Sequence, residues 1–478
     1  MPCLTVVLTG RDLTLDEVVR VARRGERVEL AGDAVERMRA TRVIVEAALE
    51  RGDTVYGFTT GVGAKKNATV AAADIGEHNR LLILNHRVGQ GPTLPPDVVR
   101  AALLRLSNNL ATGAPGVRPE LVEALLAALN NGKAPEVRSL GSIGMSDLSA
   151  NADMAHGALG DFVLAGAEAI ALLNNNAVST GHMALALTDA LRLLDTLAVV
   201  AGLSLEGFAA NLTILDPEVA RLRPYPGLGA ALAGVRAALE GSYLWNAGAA
   251  RNLQDPLCFR CVPQVLGAGR DAVGYALSQL AIELNTHQSN PMAVAGEDPR
   301  IISVGNFDVL PVAAAVDLVR ITLAHVLTSS SERTVKLLQR PLSGLPEGLA
   351  VEYGIAHDGL AEFGIAVQSI VSEARLLAQP VSFELSSATQ AEGIEDRATS
   401  APLGARRLAE QADLGARVAA IELLVAAQAV DLRRELPLGR GTGEAHGRLR
   451  ELVPALKAGD AVPQDLEPVV ALVRDGLG

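Results

Sequence analysis

The segment from Ala405 to Leu432, ARRLAEQADLGARVAAIELLVAAQAVDL, limits the fold more than any other stretch of the chain. Alanine and leucine run through it with the charges set to one side, the pattern of a single long α-helix. Short isolated helices are marginal in water, so a helix of this length needs partners along its flank. Aromatic residues make up only 3% of the chain. That disfavours a β-sandwich core built on bulky cross-strand pairs, and abundant alanine suits closely packed helices instead. GVRPELVEALLAALNNGK predicts a further helix, with Pro119 in its first position and Gly132 as its stop. At the N-terminus LTVVLTG reads as a short β-like run, and Thr14 with Glu17 forms a capping box for the next helix. The expected class is mainly α, with a small irregular α/β-containing N-terminal region over 1–200 and a long-helix bundle over 201–478.

Several functional classes are disfavoured at once. A net charge of -12 in 478 residues argues against a broad nucleic-acid surface. Three cysteines, Cys3, Cys258 and Cys261, do not make a disulfide framework in a chain this long. CFRC has the spacing of half a zinc or redox site, but no second pair completes it and its flanks read as helix. A reducing cytoplasm is the expected compartment, and MPCLTVVLTGRDLTLDE lacks the pattern of a signal peptide. The most membrane-like window, AIALLNNNAVSTGHMALALT, carries three asparagines at its middle, a costly cluster in lipid. No HExxH occurs and GVGAKK lacks the full phosphate-loop pattern, so neither a metal nor a nucleotide is expected.

Polar islands interrupt the apolar helices: YGFTTGVG (56–63), NHRVGQG (85–91), GSIGMSD (141–147), NNN (174–176), NLQDPLCFRC (252–261), SVGNFD (303–308) and EGIEDR (392–397). Buried polar groups are costly unless paired, so islands of this kind in one helical chain point to one composite site.

Their order and wording resemble the histidine and phenylalanine ammonia-lyase family, with its related aminomutases. VYGFTTGVG is similar to that family's YGxNTGFG, LLILNHRVG to LxxSHxxG, GSIG to GSVG and EAIALLNNN to EALALxNGT. LQDPLCFRCVPQVLGA is similar to VQDxYSxRCxPQVxGA, VGNFDVLPVA to xGNFHGxPVA and IEDRATSA to QEDHVSMA. The resemblance implies an ammonia-lyase-like helical bundle and a homotetramer whose active sites draw side chains from more than one subunit. It implies Tyr56 as general base, Arg260 as the clamp on a substrate carboxylate, and Asn174 and Gln254 as polar support. Phe307 is implied as a packed aromatic, and His86 and Glu395 as selectivity positions, Glu395 being nearer to the histidine-using members.

The family's electrophile is a methylideneimidazolone ring made from an internal Ala-Ser-Gly. Here those positions read Met145, Ser146 and Asp147; a gapped comparison matches Asp147 to the Asp that follows the triad, with the glycine deleted. Closure requires a tight turn that glycine tolerates and a substituted residue resists, so an ordinary peptide is expected over 145–147, although Ser146 keeps the ring as an alternative. Asp147 also reads as an N-cap for the helix that follows. Leu257 stands where the family has a tyrosine and can neither donate nor accept a proton. Asp308 and Arg397 replace histidines and carry opposite charges that could pair or reshape the pocket. The expected activity is elimination, isomerisation or cyclisation of a small amino-acid-like carboxylate without the ring. A genuine ammonia-lyase or aminomutase with an atypical precursor is the alternative, and a non-catalytic homo-oligomeric binding protein is the third.

Overall fold

A computed structural model of the chain describes residues 5–352, 357–383, 390–433 and 436–477; Cys3 lies outside them. The architecture is mainly α-helical, and the strands among the described residues form three two-stranded sheets. The N-terminal expectations hold in detail. Val6–Leu8 pairs in parallel with Val28–Leu30. Thr14 accepts from the Glu17 amide while Glu17 accepts from the Thr14 amide at 2.8 Å, a reciprocal capping box at the start of Leu15–Arg24. Pro119 opens the helix Pro119–Asn130, and Gly132 follows it at a φ of 75°. The alanine-leucine segment is one helix, Ala401–Arg433.

The chain divides into two compact units. The first comprises Met1–Ala186, Ala276–Val316 and Pro380–Arg406. In it the helix Pro96–Ala111 packs against Leu15–Arg24, Gly32–Arg51 and Pro119–Asn130, and Leu148–Leu159 packs against Ile75–His86 and Glu168–Leu173. Gly181, on the helix Ala177–Phe208, lets that helix approach Pro96–Ala111 closely: a Cβ there would come within 2.7 Å of the Ala102 amide nitrogen.

The second unit comprises Leu187–Tyr275, Asp317–Gln379 and Arg407–Gly478. Small residues again set the spacing, since a Cβ on Gly415 would meet Leu193 at 2.4 Å. One buried carboxylate ties its long helices together. Glu422 accepts from Arg333 Nε at 2.6 Å and Nη2 at 2.9 Å, from Ser204 Oγ at 2.6 Å, and from Ser330. Arg333 and Glu422 are buried, and every charged atom of the pair has a partner, which is what a buried ion pair requires.

Among the described residues one helix, Leu310–Leu338, is long and apolar enough to cross a membrane, and 56% of its most apolar window is buried inside the protein. The asparagine-interrupted window singled out in the sequence is instead folded into Glu168–Leu173 and the buried start of Ala177–Phe208.

Candidate active site

The GSIGMSD loop lies directly before the helix Leu148–Leu159 and is held from every side by the first unit. Ser146 is buried with a φ of 67°, a left-handed conformation that a residue with a Cβ adopts only when its surroundings impose it. Its hydroxyl donates to Asn174 Oδ1, and Asn174 Nδ2 in turn donates to the Asn290 carbonyl at 3.0 Å. Asn174 is at the same time the C-terminal cap residue of Glu168–Leu173, so it closes a helix and holds the loop.

Asp147 is fully buried. Its amide donates to the Asn175 carbonyl at 2.8 Å. Its carboxylate accepts from the Ser179 amide at 2.6 Å, the Ser179 hydroxyl at 2.7 Å and the Ser142 hydroxyl at 3.1 Å. Burial pushes this carboxyl above its ordinary range, while the Ser179 and Ser142 donors draw it back. Asp147 does precede the helix, as read from the sequence, but its side chain makes no capping bond there. The carboxylate anchors the loop to the start of Ala177–Phe208 instead, through the Ser179 amide and hydroxyl.

The opposite edge of the loop meets two further segments. Met145 forms an isolated antiparallel bridge with Asp308. Thr399 Oγ1 donates to the Gly144 carbonyl at 2.6 Å, and the Ser400 amide donates to Ile143 at 2.9 Å. Gly144 has to be glycine: its φ is 85°, and a Cβ would lie 2.3 Å from Thr399 Oγ1. The charges at the two altered histidine positions do pair, with Arg397 Nε and Nη2 at 3.1 and 3.0 Å from one oxygen of Asp308. Asn176 Nδ2 donates to the Phe307 carbonyl at 2.5 Å, which fixes the residue before Asp308.

Tyr56 is half-buried, and its hydroxyl oxygen accepts from the Gly63 amide at 3.1 Å. Burial pushes its phenol above the ordinary value, the Gly63 bond draws it part of the way back, and the Glu395 charge adds to the upward push. Glu395 is exposed and reaches this loop because the turn Gln390–Gly393 packs against Gly63–Lys65. His86 ends the helix Ile75–His86 with Nδ1 2.7 Å from the Leu82 carbonyl. A carbonyl only accepts, so that contact puts a ring proton on Nδ1, and in the neutral ring Nε2 is then the acceptor.

Gln254, Leu257 and Arg260 belong to the second unit. Phe259 anchors their short helix, Leu257–Arg260, by stacking on Phe208 with ring centroids 4.0 Å apart. Arg260 Nη1 donates to Gln254 Oε1, and Arg260 Nε is buried without a hydrogen-bond partner. Leu257 is 63% exposed. Cys258 and Cys261 are free thiols, and burial pushes Cys258 up, away from thiolate reactivity. Among the described residues no group of three or more His, Cys, Asp or Glu side chains is arranged to hold a metal.

The first unit thus gathers the altered triad, its asparagine support, and Phe307, Asp308, Glu395 and Arg397, with Tyr56 and Glu395 together beside them. Sequence reasoning did not single out Ser142, Asn175, Ser179 or Thr399. Ser142 and Asn175 lie inside quoted islands, and Thr399 in IEDRATSA, but small polar residues carry no sequence mark of anchoring until their partners are known.

This geometry occurs in a chain with extensive relatives. A family model for aromatic amino acid lyase matches residues 13–162 and 157–451. A histidine ammonia-lyase from Anaeromyxobacter sp. (strain K) is 36% identical, over 99% of this chain and 99% of that protein. One from Gloeobacter violaceus is also 36% identical, over 98% and 96%. Among solved structures, the ergothioneine-degrading enzyme ergothionase from Treponema denticola matches with a TM-score of 0.92 at 28% identity, covering 99% of both chains. Matched along its whole length in sequence and in fold, the chain is an enzyme of the aromatic amino acid lyase family.

Proposed function

We propose that this enzyme eliminates an amine from a histidine-like α-amino carboxylate, and that it does so without the family's ring. The observation that carries the second half is the engagement of Asp147. Closing a ring over 145–147 would bring the Asp147 nitrogen onto the Met145 carbonyl carbon. That nitrogen is the one bonded to Asn175, on a residue whose carboxylate is held by Ser179 and Ser142. Where a glycine separates the serine from the aspartate, the reacting amide and the anchoring residue are different; here they are the same. Moving it abandons several buried hydrogen bonds, each worth about 1–3 kcal/mol when a polar group is left unpaired. Asp147, anchored in this way, therefore does not fit the ring.

Without that electrophile the leaving group must depart more readily than ammonia. A trialkylammonium group meets this need, since it leaves as a neutral amine with its bonding pair and requires no added proton. The similar solved ergothionase is an ergothioneine-degrading enzyme, and ergothioneine is a trimethylated histidine-type betaine. In this reading Tyr56 takes a β-hydrogen in its phenolate form, which burial and the Glu395 charge make scarce near neutrality so that turnover rises with pH; the C–H pair becomes the Cα–Cβ double bond, the C–N bond breaks, and an acrylate is released. Arg260 holds the carboxylate with its planar fork, Gln254 orients Arg260, and Asn174 and Ser146 line the loop. Phe307 packs nearby, His86 presents Nε2, and Glu395 receives the cationic or N–H-bearing end of the side chain. In a homotetramer these groups need not come from one copy.

The second reading is a histidine ammonia-lyase whose ring forms from an atypical Met-Ser-Asp precursor, and the names of the curated relatives favour it. Intact-mass spectrometry of the purified protein, paired with turnover of histidine and of its trimethylated betaine, separates the two. Full sequence mass with betaine turnover supports the ring-free reading. A mass lower by two waters, with release of ammonia from histidine, overturns it in favour of the second.

A further inference from the structure

We infer that Arg397, through its pair with Asp308, is a positioning residue that holds Glu395 beside Tyr56 and closes the edge of the 141–147 loop. This deepens the proposed function, since it rests on Tyr56 and Glu395 belonging to the substrate site.

The chain from 396 to 400 has no regular secondary structure. Its two ends nevertheless do separate work. Glu395 bridges back to Gln390 and sets its charge against Tyr56. Thr399 and Ser400 bond the carbonyls of Gly144 and Ile143. Arg397 sits between these ends and ties the segment to Asp308. Asp308 is a fixed post: its backbone bridges Met145, and its other carboxylate oxygen accepts from the Leu310 amide at 3.0 Å, capping the start of Leu310–Leu338. The segment therefore reaches the loop twice, at Gly144 through Thr399 and at Met145 through the Arg397–Asp308 pair. Two of the three guanidinium nitrogens, Nε and Nη2, converge on one oxygen in a charge-assisted contact.

The pair is too exposed to matter much for global stability, with side chains 45% and 29% accessible. Its effect belongs to local geometry, and that separates it from a merely structural role. Arg397→Met and Asp308→Asn should each leave the melting temperature of the assembled enzyme near wild type. Each should speed hydrogen exchange of the Ser400 amide, and raise KM for the histidine-like substrate, by up to about fivefold, the range of exposed ion pairs. Arg397→Lys should recover part of both, and the double variant should be no worse than either single one, because both remove the same interaction. Wild-type enzyme supplies an arm that needs no mutant: raising salt to about 1 M, where the screening length is about 3 Å, should speed the same amide. Unchanged exchange in both variants and in salt, or a double variant whose effect is the product of the singles, would overturn the inference. The exchange arm needs no substrate. If wild type turns over no histidine-like compound while exchange still responds, the proposed function fails and the positioning role stands.

Discussion

Inserting one glycine between Ser146 and Asp147, together with Met145→Ala, should restore ring formation. The insertion leaves Asp147 where Ser179, Ser142 and Asn175 hold it and supplies a new amide that no anchor claims. The simpler change, Asp147→Gly, offers the same atoms for closure but removes the anchor. The carboxylate accepts at 2.6, 2.7 and 3.1 Å, and loss of a buried acceptor from its donors costs roughly 1–3 kcal/mol per group. Asp147→Gly should therefore destabilise by roughly 3–5 kcal/mol, at the upper end for single substitutions, and should not cyclise. Intact mass reads cyclisation as the loss of two waters, and denaturant unfolding reads stability. An insertion variant that folds yet keeps its full mass would refute the reasoning. So would an Asp147→Gly variant that cyclises at wild-type stability.

Glu395→Gln removes a charge that pushes the Tyr56 phenol up, so the alkaline-rising limb of kcat/KM should move to lower pH; an unmoved limb would separate Tyr56 from the base role. Arg260→Lys keeps the charge but loses the fork bonded to Gln254, and should raise KM about tenfold or more while changing kcat less, measured by steady-state kinetics. His182 is buried and His287 has both ring nitrogens buried, and desolvation lowers each to about 4 from 6.5. Their unfolded forms bind protons first as pH falls, so stability should be full above about pH 6.5 and decline towards 4. His182→Asn should flatten part of that decline in urea melts taken across the range.

The helical class, the capping box at Thr14 and the long helix ending in Arg433 were all legible in the sequence, because apolar spacing and capping chemistry act locally. Helix Ala401–Arg433 begins four residues before the alanine run that announced it, since its first turn is set by Ser400 and Thr399 rather than by propensity. The pairing of Asp308 with Arg397 was open to prediction from opposite charges at altered motif positions, and it formed. The role of Asp147 was less accessible. Its position before a helix favoured a cap, and only the three-dimensional approach of Ser179 diverted the carboxylate. Likewise nothing in the order of residues gave the upward push on Tyr56, which arises from burial and from a glutamate more than three hundred positions away.

The carboxylate of Glu422 has a consequence beyond the ties it makes. Helix faces built from alanine and glycine are smooth, so neighbouring helices can slip past one another by a turn with little change in apolar contact. Bonds to Arg333, Ser204 and Ser330 can all be made at one setting only, and the carboxylate acts as a detent that selects one alignment among near-equal ones. Replacing Glu422 and Arg333 together by Leu and Met should keep the melting temperature but broaden the transition, as a single packed state gives way to several.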